Sequence, residues 1–311
     1  MDFSQRLMTT QDILLHYFPL HSALADWGKD LESHLSEWII NHPEAYQEAI
    51  VRSIEAGCDL VSTSTQAASP WRAAVFGLRN RVHEFNYHSA RLAREVVPEG
   101  RYLAGFVSDT NPDFLEPLGN LTSREVYDGY KEQISALLEG GVDLIMIVGN
   151  HLEEKLIAIE VARDLSDKPV VAQNVFYQGA TGFRTMMGLD PVEASARLED
   201  SGADVVGASC GLMKREEDLY PYYEGATALL RQMRRGTEKI LSIQPNAGMA
   251  RLVNDQTVYP ATPQAMAREV PSWIEADARI VGGCCGTGLE HYRAIKAIVD
   301  DENERRRIQT P

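Results

Sequence analysis

What this sequence lacks narrows its reading first. It has no apolar run of about 18 residues, the length that would indicate a transmembrane helix. Its start, MDFSQRLMTTQD, has neither the basic residues nor the apolar stretch of a secretory signal. Basic charge is scarce. Only 30 Lys and Arg stand against 45 Asp and Glu, a formal net charge of −15. Phosphates would be repelled, which disfavours nucleic acid as a partner and argues against a basic membrane-facing patch. A cytoplasmic protein with neither nucleic-acid nor membrane partners is expected. Cysteine is also rare, with four in 311 residues. In a reducing compartment unusual cysteine spacing points to metal binding or catalysis rather than to disulfides.

What is there is a repeating pattern. Apolar residues make up 44% of the chain, enough for a sizeable core. Strand-like runs recur at Ile13–His16, Asp59–Thr63, Tyr102–Val107, Asp143–Val148, Pro169–Val175, Asp204–Ser209, Lys239–Gln244 and Ala278–Gly283. They are continuous rather than alternating, the pattern of strands buried on both faces. Three share a lead-in, AGCDL, GGVDLI and SGADVV, with a glycine suited to a left-handed helix end and an Asp before the strand. The stretches between read as helices. Thr122–Leu138 opens on a capping box of Thr122 and Glu125, and Asp190–Asp200 opens on Asp followed by Pro. Alternating strands and helices fit a closed barrel or an open doubly wound sheet. No Pro-, Gly- or Ser-rich linker divides the chain. The reading is therefore α/β, a single (β/α)8 TIM barrel over residues 1–300, with the charged segment 301–311 as a fraying tail.

Cys58 falls in a helix-to-strand loop, at the bottom of such a barrel, and reads as structural. Cys210 directly follows the sixth strand-like run, and Cys284 and Cys285 follow the eighth. Residues just past strand ends meet at the top face of a barrel, where active sites lie. Three thiols with an open fourth position fit a catalytic zinc site, and the open position could take a substrate thiol as the nucleophilic thiolate. Two plainer readings stay open: cysteine as a small buried hydrophobe, and the Cys284–Cys285 pair as a strained disulfide. The glycines of GGCCGTG also suit a phosphate turn, but no lysine or basic cluster follows them.

At these residues the chain resembles the homocysteine S-methyltransferase family. IVGGCCGTGLEHYRAI (Ile280–Ile295) is similar to the family's last strand and loop, and VVGASCG (Val205–Gly211) to its first zinc-cysteine motif, with Ser209 where the family usually has Asn. QPNAG (Gln244–Gly248), VYPATPQAMA (Val258–Ala267) and Leu115–Leu144 also match it, the last most of all resembling a methionine synthase module. The resemblance spans about Asn41 to Val299. It implies one zinc ion on Cys210, Cys284 and Cys285, and methyl transfer to a thiol, homocysteine first. The donor is then a small methylated molecule or a corrinoid protein. An alternative is the same barrel acting on another sulfur substrate, or demethylating a donor for a corrinoid protein. A zinc-binding protein without catalysis is a third.

The departures matter as well. The family's Asp-Gly motif after strand one is replaced by HYFPLHSAL (His16–Leu24), and its Glu at the end of strand four by Met146, Ile147, Val148 and Gly149. Burying the ammonium of homocysteine without a carboxylate is costly, so either other acids such as Asp26 or Asp109 replace them or the thiol substrate lacks that amino group. Candidate pocket residues are Asn246, Gly248, Ser209, His151, Asn150 and Thr63. Among the other histidines, His21 carries no assignment and His291 reads as a structural hydrogen-bonding residue. Glu153 and Glu154 read as a solvated helix face, and YPYYEG (Tyr220–Gly225) as helix packing.

Overall fold

The computed structural model describes residues 1–18, 24, 33–111, 113–211, 224–254 and 256–309. His21, Asp26 and Tyr220–Tyr223 lie outside the described residues. Eight parallel strands close into a barrel: β1 (Leu14–Tyr17), β2 (Leu60–Ser62), β3 (Tyr102–Ser108), β4 (Leu144–Gly149), β5 (Val170–Asn174), β6 (Val205–Ser209), β7 (Ile240–Gln244) and β8 (Ala278–Gly282). The seam is β1 on β8, with Leu14 opposite Ile280 and His16 opposite Gly282. Each expected strand-like run overlaps one of these strands, three of which (β1, β3 and β4) extend one residue past the run, and the open-sheet alternative falls away.

Burial on both faces explains the continuous apolar runs. Leu14, Leu60, Tyr102, Ala104, Leu144, Met146, Val171, Val205 and Ile280 fill the barrel lumen. The alternate residues, such as Leu103, Ile145, Ala172 and Val206, pack against the surrounding helices. The N-terminal helix Phe3–Thr9 plugs the lower end with Phe3 and Leu7.

The recurring lead-in has a definite use. Gly57, Gly141 and Gly202 all take positive φ. The Asp after each accepts a hydrogen bond from the preceding strand: Asp59 from Leu15 N (3.1 Å), Asp143 from Leu103 N (2.7 Å) and Asp204 from Val170 N (2.7 Å). Each also pairs with an arginine, Arg101, Arg94 and Arg163 respectively. Three staples therefore fasten neighbouring strands at the lower rim, away from any site above.

The expected helix at Thr122 runs Ser123–Glu139 with the capping box formed, and the one at Asp190 runs Pro191–Asp200 with Asp190 as cap. The tail needs correcting. Residues 301–309 do not fray but continue the helix Leu289–Gln309. Asn303 is buried there, its Oδ1 accepting from Ile13 N (2.7 Å) and its Nδ2 donating to Ile13 O (2.9 Å). Its acids and bases read as a solvated end, but one polar residue among them satisfies both backbone groups next to β1.

Candidate metal centre

The upper ends of β6, β7 and β8 bring the three cysteines together. Cys210 leaves β6 at φ +55°, a left-handed conformation uncommon for a residue with a Cβ and a mark of functional sites. Its N–H donates to Gln244 O at 3.0 Å. Gly211 follows at φ +71°, where a Cβ would come within 2.2 Å of Phe176 O, so only glycine fits. On the other arm Cys284 N donates to Pro245 O (3.0 Å), and Cys285 O accepts from Ala247 N (2.8 Å). Thr287 Oγ1 ties off the turn by donating to Cys284 O at 2.6 Å.

The sulfur atoms of Cys210, Cys284 and Cys285 all lie within 4.8 Å of one another, the Cys210–Cys285 pair at 3.9 Å. A tetrahedral zinc with Zn–S of about 2.3 Å puts its sulfurs about 3.8 Å apart. The donor set and its spacing therefore fit zinc. Among the described residues this is the one cluster of three or more metal-ligating side chains. The electrostatics agree. Hydrogen bonds from Cys284 and then Cys285 hold the Cys210 thiol well below its usual value, while sharing with Cys210 pushes Cys284 and Cys285 up. A divalent cation held by the trio would displace the thiol protons, since metal ligation needs the deprotonated sulfur. Cys284 is buried at the back, and Cys210 and Cys285 are half-buried, leaving an outer side open. Cys58 is not part of the cluster and is fully buried, its thiol pKa raised first by burial.

Two tyrosines absent from the sequence-based candidates flank the cluster. Tyr259 lies over Gly286, whose Cβ would fall 2.1 Å from the ring, and burial first, then the neighbouring thiols, raise its pKa. Tyr177 follows Phe176, the residue against which Gly211 packs, and its hydroxyl donates to Asn150 Oδ1 at 3.0 Å. Tyr177 opens the short hairpin strand Tyr177–Gly179, and Tyr259 falls in the stretch Val258–Ala267 without having been singled out there.

The floor under the thiols is polar and neutral. His16, standing near the family's first acidic position, is fully buried, with Nε2 2.7 Å from Ser62 Oγ and Nδ1 facing Gln244 Nε2. Burial lowers its pKa to about 3. Gln173 Nε2 donates to Ser242 Oγ at 2.9 Å across Gly207, where no side chain would fit. Ser209 is buried just before Cys210, its hydroxyl without a partner among the described residues.

The other expected pocket residues separate. Asn246 touches both cysteine arms, with Nδ2 donating to Gly211 O (3.2 Å) and Oδ1 accepting from Cys285 N (3.1 Å). Gly248, at φ +91°, packs against Pro260. Asn150 reaches Tyr177, and its N–H donates to Asp109 Oδ2 at 2.9 Å. His151 is buried against Phe114, ring centroids 4.7 Å apart. Thr63 is buried, with its hydroxyl committed to Phe106 N (3.0 Å) and Thr65 Oγ1 (2.7 Å). His291 is structural as expected, joining Gly288 N to Ala261 O. Of the Glu153–Glu154 pair only Glu153 is solvated, bonded to Arg197. Glu154 is buried and accepts from Thr110 N, Thr110 Oγ1 and Leu115 N at 2.7–3.0 Å. Beside it Lys155 is also buried, donating to Gly149 O at 2.7 Å.

The chain is thus a closed parallel α/β barrel that carries, at its upper face, a trio of thiols able to hold a metal ion. Residues 18–299 match the family described as homocysteine S-methyltransferase. The chain belongs to the homocysteine S-methyltransferase family. It is 26% identical over 270 residues to the methionine synthase of Mycobacterium leprae, an alignment that takes in 83% of this chain and 21% of that protein. The chain thus spans about a fifth of that relative's length. The fold is that of the homocysteine methyltransferase MmuM of Escherichia coli. Its metallated form gives a TM-score of 0.76 at 21% identity, covering 94% of this chain and 99% of that one. The oxidized form gives 0.75 at 21% identity, covering 94% and 98%. No helix among the described residues is long and apolar enough to cross a membrane.

Proposed function

We propose that this chain methylates the sulfur of homocysteine to give methionine, with a zinc ion held by Cys210, Cys284 and Cys285. The observation that carries the reading is the convergence of those three sulfurs, at zinc spacing, with one side left open. Bound zinc supplies Lewis acidity that lowers the pKa of an incoming thiol, so that it is present as the nucleophilic thiolate near neutral pH.

The chain's own residues set direction and environment. His16, Gln244 and Phe18 close the lumen beneath the thiols, with the His16 and Phe18 rings 4.5 Å apart. The acceptor and the methyl donor therefore both enter from the solvent side, past Tyr177 and Tyr259. The acceptor sulfur forms its bond to the methyl carbon as the donor leaves with the electron pair of the broken bond, and the acceptor's thiol proton passes to solvent. The acceptor sulfur changes from an anion to a neutral thioether, a poorer metal ligand, which favours release. The donor is a small methylated molecule or a methyl-corrinoid presented by another protein. Of the two acids suggested for the acceptor's ammonium, Asp109 already accepts from Asn150 N at 2.9 Å.

The test is metal content together with methyl transfer to homocysteine, set against thiols lacking its amino group. About one zinc per chain and preferential turnover of homocysteine are expected. Zinc-free protein whose methyl transfer survives Cys284→Ala would overturn the proposal.

A further inference from the structure

We propose that Asp109 is the residue by which this chain selects a thiol that carries an amine, its carboxylate receiving the ammonium at the upper end of β4. The inference rests on the homocysteine reading above and adds the group that recognises the amine. Asp109 directly follows β3, which pairs with β4 as far as Ser108 opposite Val148. The next residue of β4 is Gly149, and the Asp109 side chain occupies the room that this glycine leaves. A Cβ on Gly149 would lie 3.0 Å from Asp109 Cβ and 3.1 Å from its Oδ2. The carboxylate is thus carried across the end of the neighbouring strand.

Its two oxygens are used differently. Oδ2 accepts from Asn150 N (2.9 Å) and Asn150 Nδ2 (3.4 Å). Oδ1 has no hydrogen-bond partner among the described residues, although Asp109 is only 7% exposed. Asn150 in turn accepts from Tyr177, and Tyr177 follows Phe176, whose carbonyl packs against Gly211 beside Cys210. A short run of contacts therefore joins the free oxygen to the thiol cluster. The Tyr177 hydroxyl stands in the field of both ends: burial first, then the negative charges of Cys210 and Asp109, raise its pKa.

The charges nearby leave Oδ1 uncompensated. Glu154 is committed to Thr110 and Leu115. Lys155 Nζ donates to Gly149 O at 2.7 Å rather than to either acid. Burial lowers the Lys155 pKa to about 7, against the pull of both carboxylates. Two carboxylates against one such lysine make this corner net negative. A nearly buried carboxylate oxygen without a cation is costly, and an incoming ammonium offsets that cost by donating to it. A thiol without the amine leaves the oxygen unpaired.

The experiment titrates the zinc-loaded full chain with homocysteine and with 4-mercaptobutanoate, the same thiol without its amino group, and reads Kd by calorimetry. Asp109→Asn keeps the shape of the side chain and removes its charge. Gly149→Ala keeps the charge and crowds the carboxylate. The parent should bind homocysteine the more tightly. Asp109→Asn should weaken homocysteine roughly 10–100-fold, the loss expected for a hydrogen bond to a charged group, and leave 4-mercaptobutanoate within about twofold. Gly149→Ala should affect the two thiols in the same unequal way. Zinc content and metal-free melting of Asp109→Asn should stay near the parent's. Unchanged homocysteine binding in Asp109→Asn, or equal weakening of both thiols, would overturn the assignment, as would a parent that binds the two alike. Should Asp109→Asn not fold, Gly149→Ala decides by the same criteria. A parent that takes up no zinc or binds neither thiol would sink the homocysteine reading itself, a result distinct from either variant's behaviour.

Discussion

Nδ1 of His16 faces Nε2 of Gln244, and these two residues, 228 positions apart in sequence, floor the cavity beneath the thiols. Burial drives the His16 pKa down to about 3, against about 6.5 for an exposed histidine. The unfolded chain therefore takes up this proton first as pH falls. The stability His16 contributes is complete above about pH 6.5 and declines toward pH 3, by up to about 1.4 kcal/mol per pH unit. His16→Asn should flatten the loss of stability between pH 6.5 and 4.5, read from urea midpoints at each pH. An unchanged pH slope would show that His16 is not the proton acceptor.

Glu154 is the sole acceptor given for three donors on the loop after β3. Glu154→Ala should destabilise the fold by about 2–4 kcal/mol, because hydrogen bonds to a buried carboxylate are lost and donors are left unpaired. Urea denaturation measures this. A change below about 0.5 kcal/mol, the range for ordinary surface substitutions, would mean the donors find water instead.

Cys210 carries backbone strain that its sulfur justifies. Cys210→Gly relieves a left-handed φ and Cys210→Ala does not. The metal-free glycine variant should be more stable than the alanine variant by about 1 kcal/mol. Neither should retain a three-sulfur site. Gly211→Ala, whose Cβ would meet Phe176 O, should weaken both folding and zinc uptake. Equal stability of the two Cys210 variants in guanidinium titrations would refute the strain argument.

Metal removal gives a further check. Zinc at about 100 times its Kd should stabilise the chain by about 2.7 kcal/mol. That gain should largely vanish in Cys284→Ala or Cys285→Ala. Calorimetry with and without a chelator reads it directly, and an identical zinc-induced rise in Cys285→Ala would count against the cluster.

The barrel was legible because its physics is periodic: strands buried on both faces read as unbroken apolar runs, and the capping pair Thr122–Glu125 stands three residues apart. The three thiols were legible because strand ends converge. What lay beyond reading depended on orientation within a turn. Glu153 and Glu154 are chemically alike, but adjacent helix positions point about 100° apart, so one meets Arg197 and the other the interior. Thr63 falls at the end of its strand-like run, yet its hydroxyl serves β3. Tyr177 is placed by a short hairpin and Tyr259 by a loop, and no local spacing carries either one to the thiols.

The bond between Asn303 and Ile13 ties the last helix to the start of the first strand. During synthesis β1 emerges before the group that satisfies its entry, which follows 290 residues later. At ribosomal rates of about 5–20 residues per second, that interval lasts roughly 15–60 seconds. Until then the nascent ring has an unsealed edge at β1.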